Sequence, residues 1–242
     1  IVDCGVNADF KPAEGLRIKK VGYGTANMLD GPAMSYKQAV ESLEVGIEVL
    51  LDEIPVGLDI IATGDMGIAN TTPSSAIIAC LTGMEVSRVT GKGTGLDNSG
   101  WEKKVRVIEK VLKVNKPDSL KPLEVLAKVG GFEIGAIAGL CLAAASRRIP
   151  VLIDGFVSTA AALIATAIEP KVNGYLIASH ISAENGHLIA LEKLGKRAIF
   201  DLNLRLGEGT GAVLGLSLVE AGVKILSQKA TFSEACVSRP DF

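Results

Sequence analysis

From Pro150 onward the chain repeats one pattern: a short uninterrupted apolar run, a turn of small polar residues, then a longer apolar stretch at helical spacing. Val151 to Ile153 leads through Asp154-Gly155 into Ser158 to Ile168. Tyr175 to Ala178 leads through Ser179 to Asn185 into a stretch ending at Leu194. Ala198 to Phe200 leads through a turn carrying Gly207-Glu208-Gly209 into a stretch ending near Leu226. Apolar runs this short, without polar alternation, read as strands covered on both faces. A helix between successive strands returns the chain in the same direction, so the strands are parallel.

The first half fits the same scheme. Ser35 to Ile54 has helical spacing, with Ser35 as N-cap and Pro55 as stop, and Leu58 to Ala62 reads as a strand. Its polar exit runs to Thr72-Pro73, an N-cap followed by proline at the first helical position, and that helix ends at Gly83. A charged amphipathic helix from Trp101 to Val114 and two more helices, Pro122 to Val129 and Phe132 to Arg148, complete the chain; the last is apolar nearly all round and reads as buried. A hydrophobic fraction of 48% with only 4% aromatic residues and 27 glycines describes a core built by close approach of backbone. The expected fold is α/β, a doubly wound (Rossmann-like) parallel sheet with helices on both faces. Residues 1–242 form a single domain with a partial small helical subdomain.

Charge is balanced, 25 basic against 27 acidic residues without like-charge runs, which argues against nucleic acid as a partner. The longest apolar run, Ile134 to Ala145, falls short of the roughly 18 to 20 residues of a membrane span, so no membrane association is expected. Cys4, Cys80, Cys141 and Cys236 are scattered without Cys-x-x-Cys spacing and read as reduced thiols in a cytoplasmic setting. His180 and His187, seven apart with no third ligand nearby, do not make a metal site.

In an open parallel sheet, ligands bind beyond the carboxyl ends of the strands. The turns Gly64-Asp65, Asp154-Gly155, Ser179 to Ser182 and Gly207-Glu208 should therefore share one rim, where helix N-termini favour anions. Glu208 has little bulk beside it, so a flat ligand can reach its carboxylate, which can act as a base; the same residue could instead only favour the start of the next helix. Asp65 could stabilise positive charge or form an Asx-turn, and Asp154 could contact a ribose. Gly91-x-Gly93-x-Gly95 lacks the dinucleotide fingerprint, Lys104 lies with Lys103 and Arg106 on a charged helix face, and Ser182 is suited to an N-cap. Val151 to Thr159 resembles the loop of magnesium-dependent phosphoribosyl pyrophosphate transferases. Gly155 stands in place of that loop's second acid, however, which disfavours such chemistry.

Taken together, Gly64-Asp65-Met66-Gly67-Ile68-Ala69-Asn70-Thr71-Thr72-Pro73, Gly93-Thr94-Gly95-Leu96-Asp97, Asp154-Gly155-Phe156, Ser179 to His187 and Leu204 to Gly211 resemble the nicotinate-nucleotide:dimethylbenzimidazole phosphoribosyltransferase family. Gly24 to Met28 and Gly31 to Met34 match it too. The resemblance implies transfer of phosphoribose from nicotinate mononucleotide to 5,6-dimethylbenzimidazole, giving nicotinate and the α-ribazole 5′-phosphate of the cobalamin lower ligand, by a homodimer without a cofactor. It makes Glu208 the catalytic base, associates Lys104 and Ser182 with the substrate phosphate, and sets Leu206 against the benzimidazole. Gly67, Asn70, Thr94, Asp154, Gly155 and Gly207 complete the implied substrate-binding set. Two departures stand out: Asp65 occupies a position where many relatives carry Glu, and the chain opens into a strand-like Ile1 to Cys4 without the family's N-terminal helices. The residues alone leave a second class open, a non-enzymatic nucleotide-binding protein using the same rim.

Overall fold

The computed structural model describes residues 1–93 and 95–236. Its elements are β1 (Val2–Asp3), β2 (Arg17–Ile18), α1 (Tyr36–Glu53), β3 (Ile61–Ala62), α2 (Thr71–Thr82), α3 (Val86–Val89), α4 (Asn98–Asn115), α5 (Pro122–Val129), α6 (Phe132–Ser146), β4 (Val151–Ile153), α7 (Gly155–Ile168), β5 (Leu176–Ala178), β6 (His180–Ser182), α8 (Gly186–Leu194), β7 (Phe200–Leu204) and α9 (Thr210–Gln228). Every strand pair among the described residues is parallel: β1 with β2, β3 with β4 with β5, and β6 with β7. The α/β expectation therefore holds.

The strands behave as continuous apolar runs dictate. Val151, Leu152 and Ile153 of β4 are all buried. Val151 and Ile153 join the main core with the small residues of α7. Leu152 points the other way, as alternation along a strand requires, and faces α9: a Cβ on Gly215 would stand 2.7 Å from Leu152 Cδ2. Helices thus cover both faces of the sheet, and the absence of side chains at Gly211 and Gly215 lets α9 seat closely.

Two segments expected as turns contain strands. Ser179 to Asn185 begins with β6, and Asp201 to Arg205 lies mostly in β7. The path Leu176–Ser182 leaves one ladder and enters the next at Ser179, whose hydroxyl donates to the Ile153 carbonyl at 2.7 Å while its own carbonyl accepts from Ile199 N and Phe200 N. The strand expected at Ala198 to Phe200 lies instead at Phe200–Leu204, its body hidden from a reading based on burial because Asp201, Leu202 and Asn203 are all exposed. Helix α2 starts at Thr71 with Asn70 in the cap position, two residues earlier than Thr72-Pro73 suggests, and α7 starts at Gly155 rather than Ser158.

Helices α1 and α6 pack backbone to backbone. A Cβ on Gly46 would overlap the Ala136 carbonyl, and one on Gly139 would overlap the Leu43 carbonyl. Gly46→Ala forces the helices apart along this seam, and its unfolding free energy in urea should fall by about 1–3 kcal/mol, the range for overpacked cores. An unchanged denaturation midpoint would mean that the seam yields freely.

The 19-residue α9 is a longer apolar helix than the uninterrupted runs in the sequence disclose. By length and composition it is the one helix among the described residues that could cross a membrane, and only 17% of its most apolar window is buried. Glu220 and Lys224 interrupt its apolar residues, so no long run is visible in the sequence. Its first turn is tied into the rim of the sheet, and Val213, Leu214, Leu218, Val223 and Ile225 face outward.

Candidate active site

The carboxyl ends of β3, β4, β6 and β7 open into one cavity of about 1000 Å³. Asp65, Gly67, Asn70, Asp154, Gly155, Ser182, Leu206, Gly207 and Glu208 all line it, so the sequence-expected residues from four separate turns converge. The starts of α2, α4, α7 and α8 also face this space through Thr71, Asn98, Phe156 and Asn185. Helix N-termini aimed together favour an anionic ligand. The motif around Gly24 and Pro32 lines a separate cavity of about 360 Å³ with Met34 and Phe132.

Glu208 is held in an unusual turn. Gly207, Glu208 and Gly209 have φ values of 74°, 58° and 82°, three successive residues in the left-handed region that only glycine adopts freely. A glutamate held there carries local backbone strain. Its N–H donates to the Asp65 carbonyl at 3.0 Å. Beside it, Gly64 and Gly209 touch backbone to backbone, and a Cβ on Gly64 would stand 2.7 Å from Gly209 N. The β3 turn therefore supports the Glu208 turn directly.

Asp154 supports it from the other side. Its carboxylate is buried; Oδ2 accepts from Gly209 N at 3.2 Å and Oδ1 from Ala212 N at 3.0 Å. Both contacts satisfy donors at the open end of α9, where a negative charge is favourable. Thr63 fixes Asp154 in turn, accepting its N–H at 3.1 Å while donating to the Leu152 carbonyl at 3.2 Å.

Asp65 accepts from Asn70 Nδ2 at 2.7 Å and from Gly67 N at 3.2 Å. Burial pushes its carboxyl above the usual range, opposed by these two hydrogen bonds, and the charge of Asp154 adds to the rise. Burial raises Glu133 to about 7, with the charge of Asp65 adding to the rise and Asn70 opposing it.

Lys104 does not line the cavity itself. Its ammonium donates to Thr71 Oγ1 at 2.7 Å and to the Gly91 carbonyl at 3.4 Å, at the edge of the lining. Burial lowers its pKa, partly offset by the negative charge of Glu184. It is a half-buried cation with neutral partners, unlike the solvated neighbour Arg106, which pairs with Glu102. Thr94 lies outside the described residues.

The structure also brings in two residues to which the sequence assigns no role in the site. Trp101 lines the cavity and donates through Nε1 to the Thr90 carbonyl at 2.7 Å. His180 lines it too, with Nδ1 3.0 Å from Ser179 Oγ and 3.7 Å from Asp154 Oδ1; burial lowers its pKa against the opposing charge of Asp154. Periodicity assigns Trp101 to a charged helix, and only the meeting of separate elements reveals it, whereas His180 belongs to the Ser179 to Ser182 turn already expected on the rim.

Comparison with known proteins agrees with this geometry. A family model described as a phosphoribosyltransferase matches residues 1–237. The nicotinate-nucleotide–dimethylbenzimidazole phosphoribosyltransferase of Desulforudis audaxviator is 56% identical over 239 residues, covering 99% of this chain and 68% of the relative. That of Geotalea uraniireducens is 54% identical, covering 100% of this chain and 69% of the relative. The crystal structure of CobT from Thermus thermophilus superposes with a TM-score of 0.93 at 42% identity, covering 99% of this chain and 71% of that one.

Proposed function

The chain belongs to the nicotinate-nucleotide–dimethylbenzimidazole phosphoribosyltransferase family, and from that premise we propose that it transfers phosphoribose from nicotinate mononucleotide to 5,6-dimethylbenzimidazole with Glu208 as the general base. The observation that carries the mechanism is a glutamate whose backbone is held in a left-handed turn at the wall of a cavity large enough for a nucleotide and a second flat ring. Nicotinate in the donor is a pyridinium, so the C1′–N bond breaks with its electron pair going to a ring that departs neutral and needs no proton. The acceptor forms the new C1′–N bond and loses its N–H proton to Glu208. A base positioned this way contributes about 10²- to 10⁴-fold.

In this reading Asp65 stabilises the positive charge that grows on the ribose, provided it is ionised. Asn70 and Gly67, which donate to its two oxygens, favour that form against the cost of burial. Ser182 and Lys104 hold the 5′-phosphate, and Leu206 covers the benzimidazole; the exposed side chain of Leu206 supports a ring-covering role. Asp154 and Gly155 shape the floor, with Asp154 positioning the Glu208 turn. Incubation with β-linked nicotinate mononucleotide and dimethylbenzimidazole, followed by chromatography and proton NMR, should give free nicotinate and an α-linked product. A β-linked product would require a second displacement and remove the one-base mechanism.

If Lys104 grips the phosphate, Lys104→Ala should weaken nicotinate mononucleotide by about 1.5–3 kcal/mol more than it weakens the dephosphorylated riboside, the range for hydrogen bonds to charged groups. Calorimetric titration of both ligands reads the difference, and equal losses would leave Lys104 without a phosphate role. The homodimer and the cytoplasmic setting also belong to this reading. The outward apolar residues of α9 support a covered face. Four free cysteines, of which Cys4 and Cys141 are buried, suit a reducing compartment.

A further inference from the structure

His187 has no part in the reaction as described, yet it is almost wholly buried at the point where two turns of the cavity meet. Its Nδ1 accepts the backbone N–H of Ser182 at 2.8 Å. Its Nε2 lies 3.0 Å from Thr159 Oγ1. The Thr159 hydroxyl has one proton, and it is donated to the Gly155 carbonyl at 2.6 Å. Nε2 must therefore carry the hydrogen and donate to Thr159, which leaves Nδ1 bare for Ser182. Both bonds fit one neutral tautomer, and burial, with His180 nearby, pushes the ring's pKa down to about 3.

The consequence falls on Ser182. With its backbone N–H committed to His187 and its Oγ accepting only a long bond from Glu184 N at 3.4 Å, the hydroxyl proton remains available to a ligand in the cavity that Ser182 lines. Through Thr159 the same imidazole ties Ser182 to the carbonyl of Gly155, on the neighbouring turn. Gly186, the residue before His187, packs closely on the neighbouring backbone: a Cβ there would stand 2.5 Å from the Val89 carbonyl.

We infer that His187 is a positioning residue for the phosphoribosyl donor, acting as a neutral Nε2–H imidazole that fixes the Ser182 turn relative to Gly155. This rests on the proposed reading of Ser182 as a phosphate contact.

The test compares His187→Asn, whose amide oxygen can stand where Nδ1 stood and accept from Ser182, with His187→Gln, whose amide reaches only the Nε2 position. Calorimetric titration with nicotinate mononucleotide should show His187→Gln binding about 10-fold more weakly than wild type, the scale of leaving a buried N–H unpaired. His187→Asn should stay within about 3-fold, with kcat within about 3-fold in both. Equal weakening by the two variants, or a loss confined to kcat, would overturn the inference and leave His187 a packing residue. Nitrogen-15 NMR of the wild-type imidazoles gives a reading independent of variant folding: the expected result is Nε2–H with unprotonated Nδ1 at neutral pH, and Nδ1–H or a charged ring overturns it. Wild-type protein that binds the nucleotide but does not turn over with dimethylbenzimidazole would refute the proposed reaction and not the role of His187. If it turns over while both variants bind as wild type, only the role of His187 fails.

Discussion

Glu208→Gln should lower kcat by at least about 10²-fold while nicotinate mononucleotide binds nearly as before. The amide keeps the length and the hydrogen-bonding shape of the side chain and loses only the capacity to take a proton. The backbone should not respond, because the turn is held by contacts that glutamine leaves in place: Glu208 N to the Asp65 carbonyl, Gly209 N to Asp154, and the approach of Gly64 to Gly209. Single-turnover kinetics with dimethylbenzimidazole in excess, alongside nucleotide titration, separates the two effects. Near-normal turnover would move the base elsewhere in the cavity. A matching loss of nucleotide affinity would make Glu208 a binding group instead.

The sequence disclosed the parts of this protein that depend on local pattern and concealed those that depend on contact between distant turns. Strand β4 was legible because full burial on both faces leaves an unbroken apolar run, whereas β7 was read too early, at Ala198 to Phe200, because three of its five residues face solvent. The four turns could be assigned to one rim from topology alone, and the cavity contains residues from each. Lys104 was indistinguishable from its solvated neighbours, since nothing on α4 reveals that Thr71, 33 residues earlier, lies beside its ammonium. His187 offered only a missing metal partner as a reading; its real partners are a backbone N–H and a hydroxyl, which leave no spacing signature. Gly64 read as a turn residue, while its tightest constraint is the backbone of Gly209. The family resemblance supplied roles for several of these positions, but the geometric reasons for them come only with the fold.

Asp154 is where that difference has its largest consequence for stability as well as rate. Asp154→Ala removes an acceptor from Gly209 N and Ala212 N together, 55 and 58 residues away in sequence, and leaves both N–H groups at the buried start of α9 without a partner. Hydrogen bonds to a charged group are worth about 1.5–3 kcal/mol each and do not add fully, so unfolding free energy should fall by about 2–4 kcal/mol in urea. Catalysis should fall with it, because the same N–H of Gly209 anchors the residue next to Glu208, and a displacement on the order of 1 Å at a reacting group costs about 10²-fold. Asp154→Asn retains one acceptor oxygen but turns an amide NH₂ toward the other N–H, so it should recover only part of either loss. A pure ribose contact behaves differently: stability would stay near wild type, and the loss would appear in nucleotide affinity, leaving kcat at saturation intact. Denaturation and saturating kinetics measured on one preparation decide between them. Unchanged stability with weakened nucleotide binding would return Asp154 to the ribose and leave the Glu208 turn to the contacts of Gly64 and Asp65.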